Sequence, residues 1–128
     1  MVDLSALLDL ALAKLGERYD SAQRFRGEIP PADGVWRSAQ NTKKGAAQIL
    51  AVRAGDEITH VRRFSGGHRL EVAIWFVDPG GRNPSLSLSR DRLSPRAIHA
   101  FTATGSEIPL DQLTAGVLSR IGQILMSI

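Results

Sequence analysis

Cysteine is absent from the 128-residue chain, which excludes disulfides, thiolate catalysis and zinc sites built on sulfur. No stretch approaches the roughly 20 apolar residues that a membrane-spanning helix needs. The N-terminus has no basic segment, and Asp3 and Asp9 interrupt its apolar residues, so it lacks the pattern of a signal peptide. Because a chain without cysteine suits a reducing compartment, we expect a cytoplasmic protein that does not contact a membrane.

The sequence also has few residues arranged for catalysis or cofactor binding. Neither G-x-S-x-G nor S-x-x-K occurs. The three histidines, His60, His68 and His99, form no H-x-H or H-x-x-x-H pair of the kind that metal sites use. Gly80-Gly81-Arg82 precedes no helix, whereas a phosphate-binding loop leads into one. We therefore expect no metal and no cofactor, and we favour a protein that is not an enzyme.

What the chain does contain suits one domain that spans residues 1–128. Hydrophobic residues make up 43% and charged residues 23%, both ordinary for a globular protein. At this length, folding buries roughly two thirds of the surface of the unfolded chain. Positive charge is concentrated in the middle, because residues 35–96 carry a net charge of +6, against −2 for residues 1–34 and −1 for residues 97–128.

Two segments have the three- and four-residue spacing of an amphipathic helix. The first covers residues 3–19, where Asp3 or Ser5 can cap the start, and the second covers residues 109–126. Their apolar stripes are Leu4, Leu7, Leu8, Ala11, Leu12, Leu15 and Tyr19 in the first, and Leu110, Leu113, Val117, Ile121, Ile124, Leu125 and Met126 in the second. Residues 27–34 contain two adjacent prolines and are predicted to form a loop.

Between the helices the spacing changes to that of β-strands. Four strand-like runs lie at about 47–54, 57–64, 69–78 and 84–90, and short glycine-containing turns separate them. Short turns imply antiparallel neighbours, because parallel pairing needs a long crossover. Residues 35–40 are predicted to form a short edge strand. The segment at 96–103 has two interpretations, a fifth strand or a short helix that begins at Ser94-Pro95.

These elements predict a two-layer α+β fold with an N-terminal helix, an antiparallel sheet of four to five strands and a C-terminal helix. Both helices have to bury their apolar stripes, and one face of the sheet can cover them. We therefore expect both helices on that face and a polar surface on the other. The residues that we assign to the polar surface are Ser85, Ser87, Ser89, Thr59 and Arg63.

The basic residues of the middle segment are the candidate functional site. They lie on consecutive turns and strands, and they are Lys43, Lys44, Arg53, Arg62, Arg63 and Arg69. Antiparallel pairing would bring Arg62 or Arg63 close to Arg69, and like charges at that distance need an anion or an acidic side chain to neutralise them. This predicts binding of an anion or a nucleic acid, although the aromatic residues that usually support nucleic-acid binding on a sheet are only 5% of the chain.

Two functions from different classes follow. The first is a non-enzymatic interaction or assembly module, either a homo-oligomeric adaptor or a chaperone-like domain, whose partner is itself or another protein, because a small sheet has open edges that other chains can pair with. The alternative is binding of DNA or RNA through residues 43–69. A ligand pocket between sheet and helices is a third interpretation, and no motif supports it.

Overall fold

The computed structural model describes residues 3–27, 29–42, 45–65, 70–77, 86–91, 93, 97–102 and 104–128. The residues outside this description include Lys43, Lys44, His68, Arg69 and Ser85. Most of the predicted turn at 65–68, the predicted turn at 79–84 and the start of the helix proposed at Ser94-Pro95 also lie outside it. Within the described part of the chain, no helix is long and apolar enough to cross a membrane.

The N-terminal helix, α1, covers Leu4–Arg18 and confirms the prediction from the sequence. Asp3 is its N-cap, because the Asp3 carboxylate accepts the backbone N–H groups of Ser5 at 3.0 Å and Ala6 at 3.3 Å. These two N–H groups have no carbonyl partner one turn earlier in the helix, so the cap satisfies them. The buried side chains of α1 come from the predicted stripe, and they are Leu7, Leu8, Ala11 and Leu15.

The C-terminal helix, α2, covers Ala115–Met126 and begins later than predicted. A separate 3₁₀ turn occupies Leu110–Gln112, and Leu113 and Thr114 are extended between the two elements. The apolar spacing of three between residues 110 and 113 fits a 3₁₀ turn as well as an α-helix, which is why the sequence pattern ran through the break. Leu118, Ile121, Ile124 and Leu125 are the buried residues of α2.

The sheet has eight strands, so the prediction of four to five was wrong. The strands lie side by side in chain order, and they are β1 (Gln23–Arg24), β2 (Gly34–Thr42), β3 (Gly45–Ala54), β4 (Glu57–Phe64), β5 (Leu70–Val77), β6 (Leu86–Asp91), β7 (Ile98–Phe101) and β8 (Glu107–Ile108). All neighbours are antiparallel except β1 and β2, which are parallel, so the sheet is mixed. Strands of two residues, such as β1 and β8, are too short to show alternation, which explains the missing strands.

Both helices pack on one face of the sheet, here called the helix face, and the resulting α+β arrangement agrees with the sequence. The largest buried cluster joins residues of α1 and α2 to alternate residues of the central strands. The sheet residues in this cluster include Leu50, Val61, Val72, Ile74, Phe76, Leu86, Leu88 and Ala100. The segment around 96–103, for which strand and helix were both open, contains strand β7 at Ile98–Phe101.

The opposite face, here called the second face, differs from the predicted polar surface. Val61 lies in the core under the helices, and Thr59 and Arg63 share its side of β4, so their assignment to the polar surface was wrong. Ser87 and Ser89 do lie on the second face, opposite in parity to Leu86 and Leu88. The centre of the second face is apolar and buried, with a smaller cluster of Ala47, Ile49, Phe64 and Ala73.

Candidate functional site

The described arginines of the predicted basic site do not converge. Arg62 and Arg63 are consecutive in β4, so their side chains point to opposite faces of the sheet. Arg53 pairs in register with Ile58, four residues from Arg62, which corresponds to about 13 Å along the strand. Pairing of β4 with β5 sets Arg62 opposite Ala73 and Arg63 opposite Val72.

Arg53 is engaged with backbone carbonyls. Its Nε donates to the carbonyl of Gly55 at 2.9 Å, and its Nη1 donates to the carbonyl of Pro30 at 2.5 Å. Asp33 adds a second link to the same turn, because its carboxylate accepts the N–H of Gly55 at 2.9 Å. Arg53 therefore fastens the loop before β2 to the β3–β4 turn, and at least part of its guanidinium is committed to that role.

Arg62 belongs to a compact aromatic cluster on the second face. Its guanidinium carbon lies 4.8 Å from the centre of the Trp75 ring, and its Nη2 lies 3.3 Å from Nδ1 of His60. The ring of His60, which is 1% exposed, packs edge-on against Trp75 at 4.5 Å and near Phe25 at 6.3 Å. Arg62 therefore already occupies one face of the indole, the surface on which a nucleic-acid base would stack.

Two further ion pairs attach the helices to the sheet. Arg120 on α2 donates to both carboxylate oxygens of Glu57 on β4, at distances of 2.6 to 3.1 Å, and Arg90 on β6 donates to Asp9 on α1 at 2.6 Å. The hydrogen bonds from Arg120 to Glu57, followed by the attraction between the two charges, raise the pKa of Arg120 above its usual value. Both pairs join elements of the fold and explain why these charges lie beside the core.

The outer edge of β2 is only partly paired. β1 is the one strand beside it in the described part of the chain, and it pairs with Trp36 and Arg37 alone. The carbonyl of Arg37 accepts the N–H of Phe25 at 3.0 Å, so Arg37 has its backbone groups directed outward. In a strand the backbone N–H and C=O groups of every second residue point in the same direction. The backbone groups of Ala39 and Asn41 therefore also point outward.

The register with β3 independently supports this direction. Asn41 is paired with Ala46, whose carbonyl accepts the N–H of Ser65 and so points away from β2. The pair of Asn41 and Ala46 is therefore one of the pairs that exchange no hydrogen bonds, which leaves the backbone groups of Asn41 on the outer side. Both Ala39 and Asn41 are exposed to solvent. We call the segment from Ala39 to Asn41 the open edge of β2.

A groove lies between β2 and the chain that follows β1, whose Gly27 carbonyl accepts a hydrogen bond from Nε2 of Gln40 at 3.2 Å, and we call it the β2-edge groove. It has a volume of about 670 Å³, and its lining includes Tyr19, Arg24, Arg26 and Arg37. This volume falls within the range of roughly 300–1,000 Å³ that is usual for ligand-binding clefts. Three of its described lining residues are arginines and none is acidic.

Arg37 is held in the wall of the β2-edge groove by the end of α1. Its Nη1 donates to the backbone carbonyls of Tyr19 at 3.4 Å and Asp20 at 3.1 Å, and its guanidinium lies 5.7 Å from the centre of the Tyr19 ring. A cation suits the negative end of a helix dipole. Its Nε is buried and donates no hydrogen bond within the described residues. Arg24 and Arg26 are exposed and form no ion pair with any described residue.

Sequence reasoning missed the β2-edge groove entirely. Arg24 and Arg26 lie on either side of Phe25, which buries its ring on the second face beside His60. This alternation is the only signal in the sequence, and three residues are too few to identify a strand. Arg37 lies eleven positions beyond Arg26 in the sequence, and the pairing of β1 with β2 brings Arg37 beside Arg24.

The described residues contain no group of three or more histidine, aspartate or glutamate side chains that could hold a metal ion. His99 lies 3.5 Å from the carboxylate of Glu107, and both are exposed at the far side of the sheet. Comparison with known proteins assigns no class to the chain, because no protein-family model, no curated protein and no solved structure matches it. The open edge and the groove beside it are therefore the features on which a functional argument can rest.

Proposed function

We propose that this protein is a non-enzymatic interaction module that binds an extended segment of another protein along the open edge of β2. The observation that carries the proposal is the outward direction of the backbone groups of Ala39 and Asn41, next to a groove that an added chain can enter. In this mode of recognition, backbone hydrogen bonds provide affinity and the alternate side chains of the added strand provide specificity.

The edge is a better location than the second face. Ile49, Phe64 and Ala73 at the centre of the second face are already buried, and Arg62 occupies one face of the Trp75 ring while His60 packs edge-on against it. An exposed row of unpaired backbone groups, by contrast, is a template for pairing with another chain.

The expected affinity is modest. Ala39 and Asn41 offer two N–H and two C=O groups, and each net hydrogen bond contributes roughly 0.5–1.5 kcal/mol. The four bonds together supply about 2–6 kcal/mol, whereas a dissociation constant of about 1 μM needs about 8 kcal/mol. Contacts from side chains in the β2-edge groove have to supply the remainder.

The occupant that we propose is a segment of a different protein. Arg24, Arg26 and Arg37 give the β2-edge groove a positive charge, and a second copy of the same edge carries the same arginines and does not complement that charge. Light scattering over a dilution series checks this, because a dimer that Ala39→Pro dissociates would assign the edge to a second copy.

Nucleic-acid binding through residues 43–69 stays an alternative prediction with less support. Arg62 and Arg63 lie on opposite faces of β4, and Arg53 is bonded to backbone carbonyls. The nucleic-acid alternative predicts that, in the Arg62→Ala/Arg63→Ala double variant, affinity for DNA falls less steeply as the salt concentration rises.

A proline substitution tests strand addition. A nine-residue peptide of alternating glutamine and valine is titrated into ¹⁵N-labelled protein, and we expect the amide resonances of Ala39 and Asn41 to shift. Ala39→Pro removes the outward N–H of residue 39 at an edge position where proline is tolerated, and we expect the loss of that hydrogen bond to weaken binding about two- to twelvefold. Ala39→Val keeps the N–H and is the matched control.

Circular dichroism and the thermal midpoint of each variant establish that it is folded before binding is compared. The proposal is rejected if neither amide shifts at 1 mM peptide, or if folded Ala39→Pro binds as well as Ala39→Val.

A further inference from the structure

We infer that the segment bound at the open edge of β2 is acidic, with carboxylate side chains at alternate positions, and that Arg24, Arg26 and Arg37 select it. This inference rests on the proposed function and adds the chemistry of the partner. Its starting point is the charge of the β2-edge groove, where the described lining residues include three arginines and no acid.

The alternate spacing follows from the register of the sheet. Arg24 pairs with Arg37 in the parallel ladder of β1 and β2, so their side chains lie on the same side. That side is the helix face, because Arg37 pairs with Leu50 and contacts the end of α1. An extended chain on the edge directs every second side chain to the helix face, where these arginines lie.

The positive charge continues along the same side of the edge. A second depression, with a volume of about 440 Å³, adjoins the first and is lined by Ala39, Asn41 and Arg63 among others. Arg63 is exposed and lies on the helix face, in register with Gln48. Because Gln48 also pairs with Ala39, Arg63 lies at the level of Ala39, two strands in from the edge, and adds positive charge to the helix face beside the bound strand.

Arginine also has the geometry that carboxylates require. Its planar guanidinium presents several N–H groups in a fixed arrangement and binds a carboxylate through two parallel hydrogen bonds. Nucleic-acid phosphates carry the same charge, but the β2-edge groove offers little for base stacking, since Arg37 covers the Tyr19 ring and Phe25 is 7% exposed. The backbone groups of the open edge match a peptide strand, whose own backbone has the same spacing.

The test compares three labelled peptides by fluorescence anisotropy in 50 mM salt. The first alternates glutamate with valine, and in the other two every glutamate is replaced by glutamine or by lysine. We expect the glutamate peptide to bind about tenfold more tightly than the glutamine peptide, the lysine peptide to bind most weakly, and the difference to shrink at 500 mM salt, where exposed charges are screened.

Single arginine variants locate the selectivity. We expect Arg24→Gln and Arg26→Gln each to weaken binding of the glutamate peptide about threefold and to leave the glutamine peptide unchanged. Arg62→Gln removes the same charge from the second face and is the matched control, for which no change is expected. Light scattering on each variant measures self-association in parallel.

The outcomes separate the inference from the proposed function. If the three peptides bind with equal affinity and Ala39→Pro weakens the binding of all three, the acidic preference is overturned and strand addition is retained. No binding of any peptide to the unmodified protein at 1 mM overturns both. A 20-nucleotide oligo-dT that displaces the glutamate peptide, and that binds Ala39→Pro as well as the unmodified protein, would assign the groove to nucleic-acid phosphates. Self-association of Arg24→Gln with unchanged peptide affinity would show that the arginines protect the edge from pairing with another copy. Either result overturns the inference.

Discussion

Replacement of Gly122 by alanine tests how closely the two helices pack. Gly122 lies within α2 and is partly buried against α1. A Cβ atom at this position would lie 3.8 Å from Cδ1 of Leu7, an ordinary van der Waals distance, and Leu7 is itself 4% exposed. The structure therefore has room for the methyl group and provides a contact for it.

The size of the effect follows from two contributions. Alanine is favoured over glycine in a helix interior by roughly 0.5–1 kcal/mol, because glycine loses more backbone entropy on folding. The new contact with Leu7 adds a few tenths of a kcal/mol, since each pair of touching carbon atoms contributes about 0.1–0.2 kcal/mol. We expect Gly122→Ala to raise the free energy of unfolding by about 1 kcal/mol and the thermal midpoint by about 4 °C.

Urea denaturation followed by circular dichroism measures the change. Gly16→Ala is the matched control, because Gly16 lies in α1, is exposed, and a Cβ there meets nothing within 4 Å. Because Gly16 lies near the end of its helix, Gly16→Ala should raise the free energy of unfolding only through the higher helix propensity of alanine, by about 0.5 kcal/mol. If Gly122→Ala destabilises the protein while Gly16→Ala stabilises it, the helices pack more closely than the structure states and the reasoning is refuted.

Three further predictions concern stability and are measured in the same way. Ile121→Ala removes a fully buried side chain from α2 and should lower the free energy of unfolding by about 3 kcal/mol; a loss below about 1 kcal/mol would mean that the core at α2 is not packed as described. Gly55 has a φ of +62° in the β3–β4 turn, so Gly55→Ala should lower the free energy of unfolding by about 1–2 kcal/mol, and a neutral result would contradict this backbone conformation. Asp9→Asn leaves Arg90 without its charge partner, but because the Asp9 side chain is 64% exposed we expect a loss of only about 1 kcal/mol. The loss should be smaller in 1 M salt, and a loss of the same size at low and high salt would exclude an electrostatic origin.

The regular elements with long patterns could be predicted well from the sequence. The stripe of α1 repeats through four turns, and its predicted range of 3–19 differs from Leu4–Arg18 by one residue at each end. The range predicted for β4, residues 57–64, agrees with Glu57–Phe64. Local spacing carries this information, because a helix or a strand must match its own period to bury one side.

The candidate site could not be predicted in the same way. β1 has two residues and pairs in parallel with β2 across a loop, so neither length nor alternation marks it. β4 has mixed apolar and polar residues on both sides, and only its register with Leu50 and Ile74 in the neighbouring strands decides that Val61 faces the helices. Alternation along β4 is enough to place Arg62 and Arg63 on opposite faces. Their distance from Arg24 and Arg37, by contrast, depends on how the strands pair in the sheet.

The amino-acid sequence by itself determined that this protein has two terminal helices around a sheet of hairpins, because hydrophobic periodicity and turn residues act over short distances along the chain. The tertiary structure alone decided which side of each strand is buried, how many strands the described part of the sheet has, and that Arg24, Arg26 and Arg37 share one groove beside the open edge of β2. Those features arise from contacts between residues distant in the chain, and the register of neighbouring strands sets them.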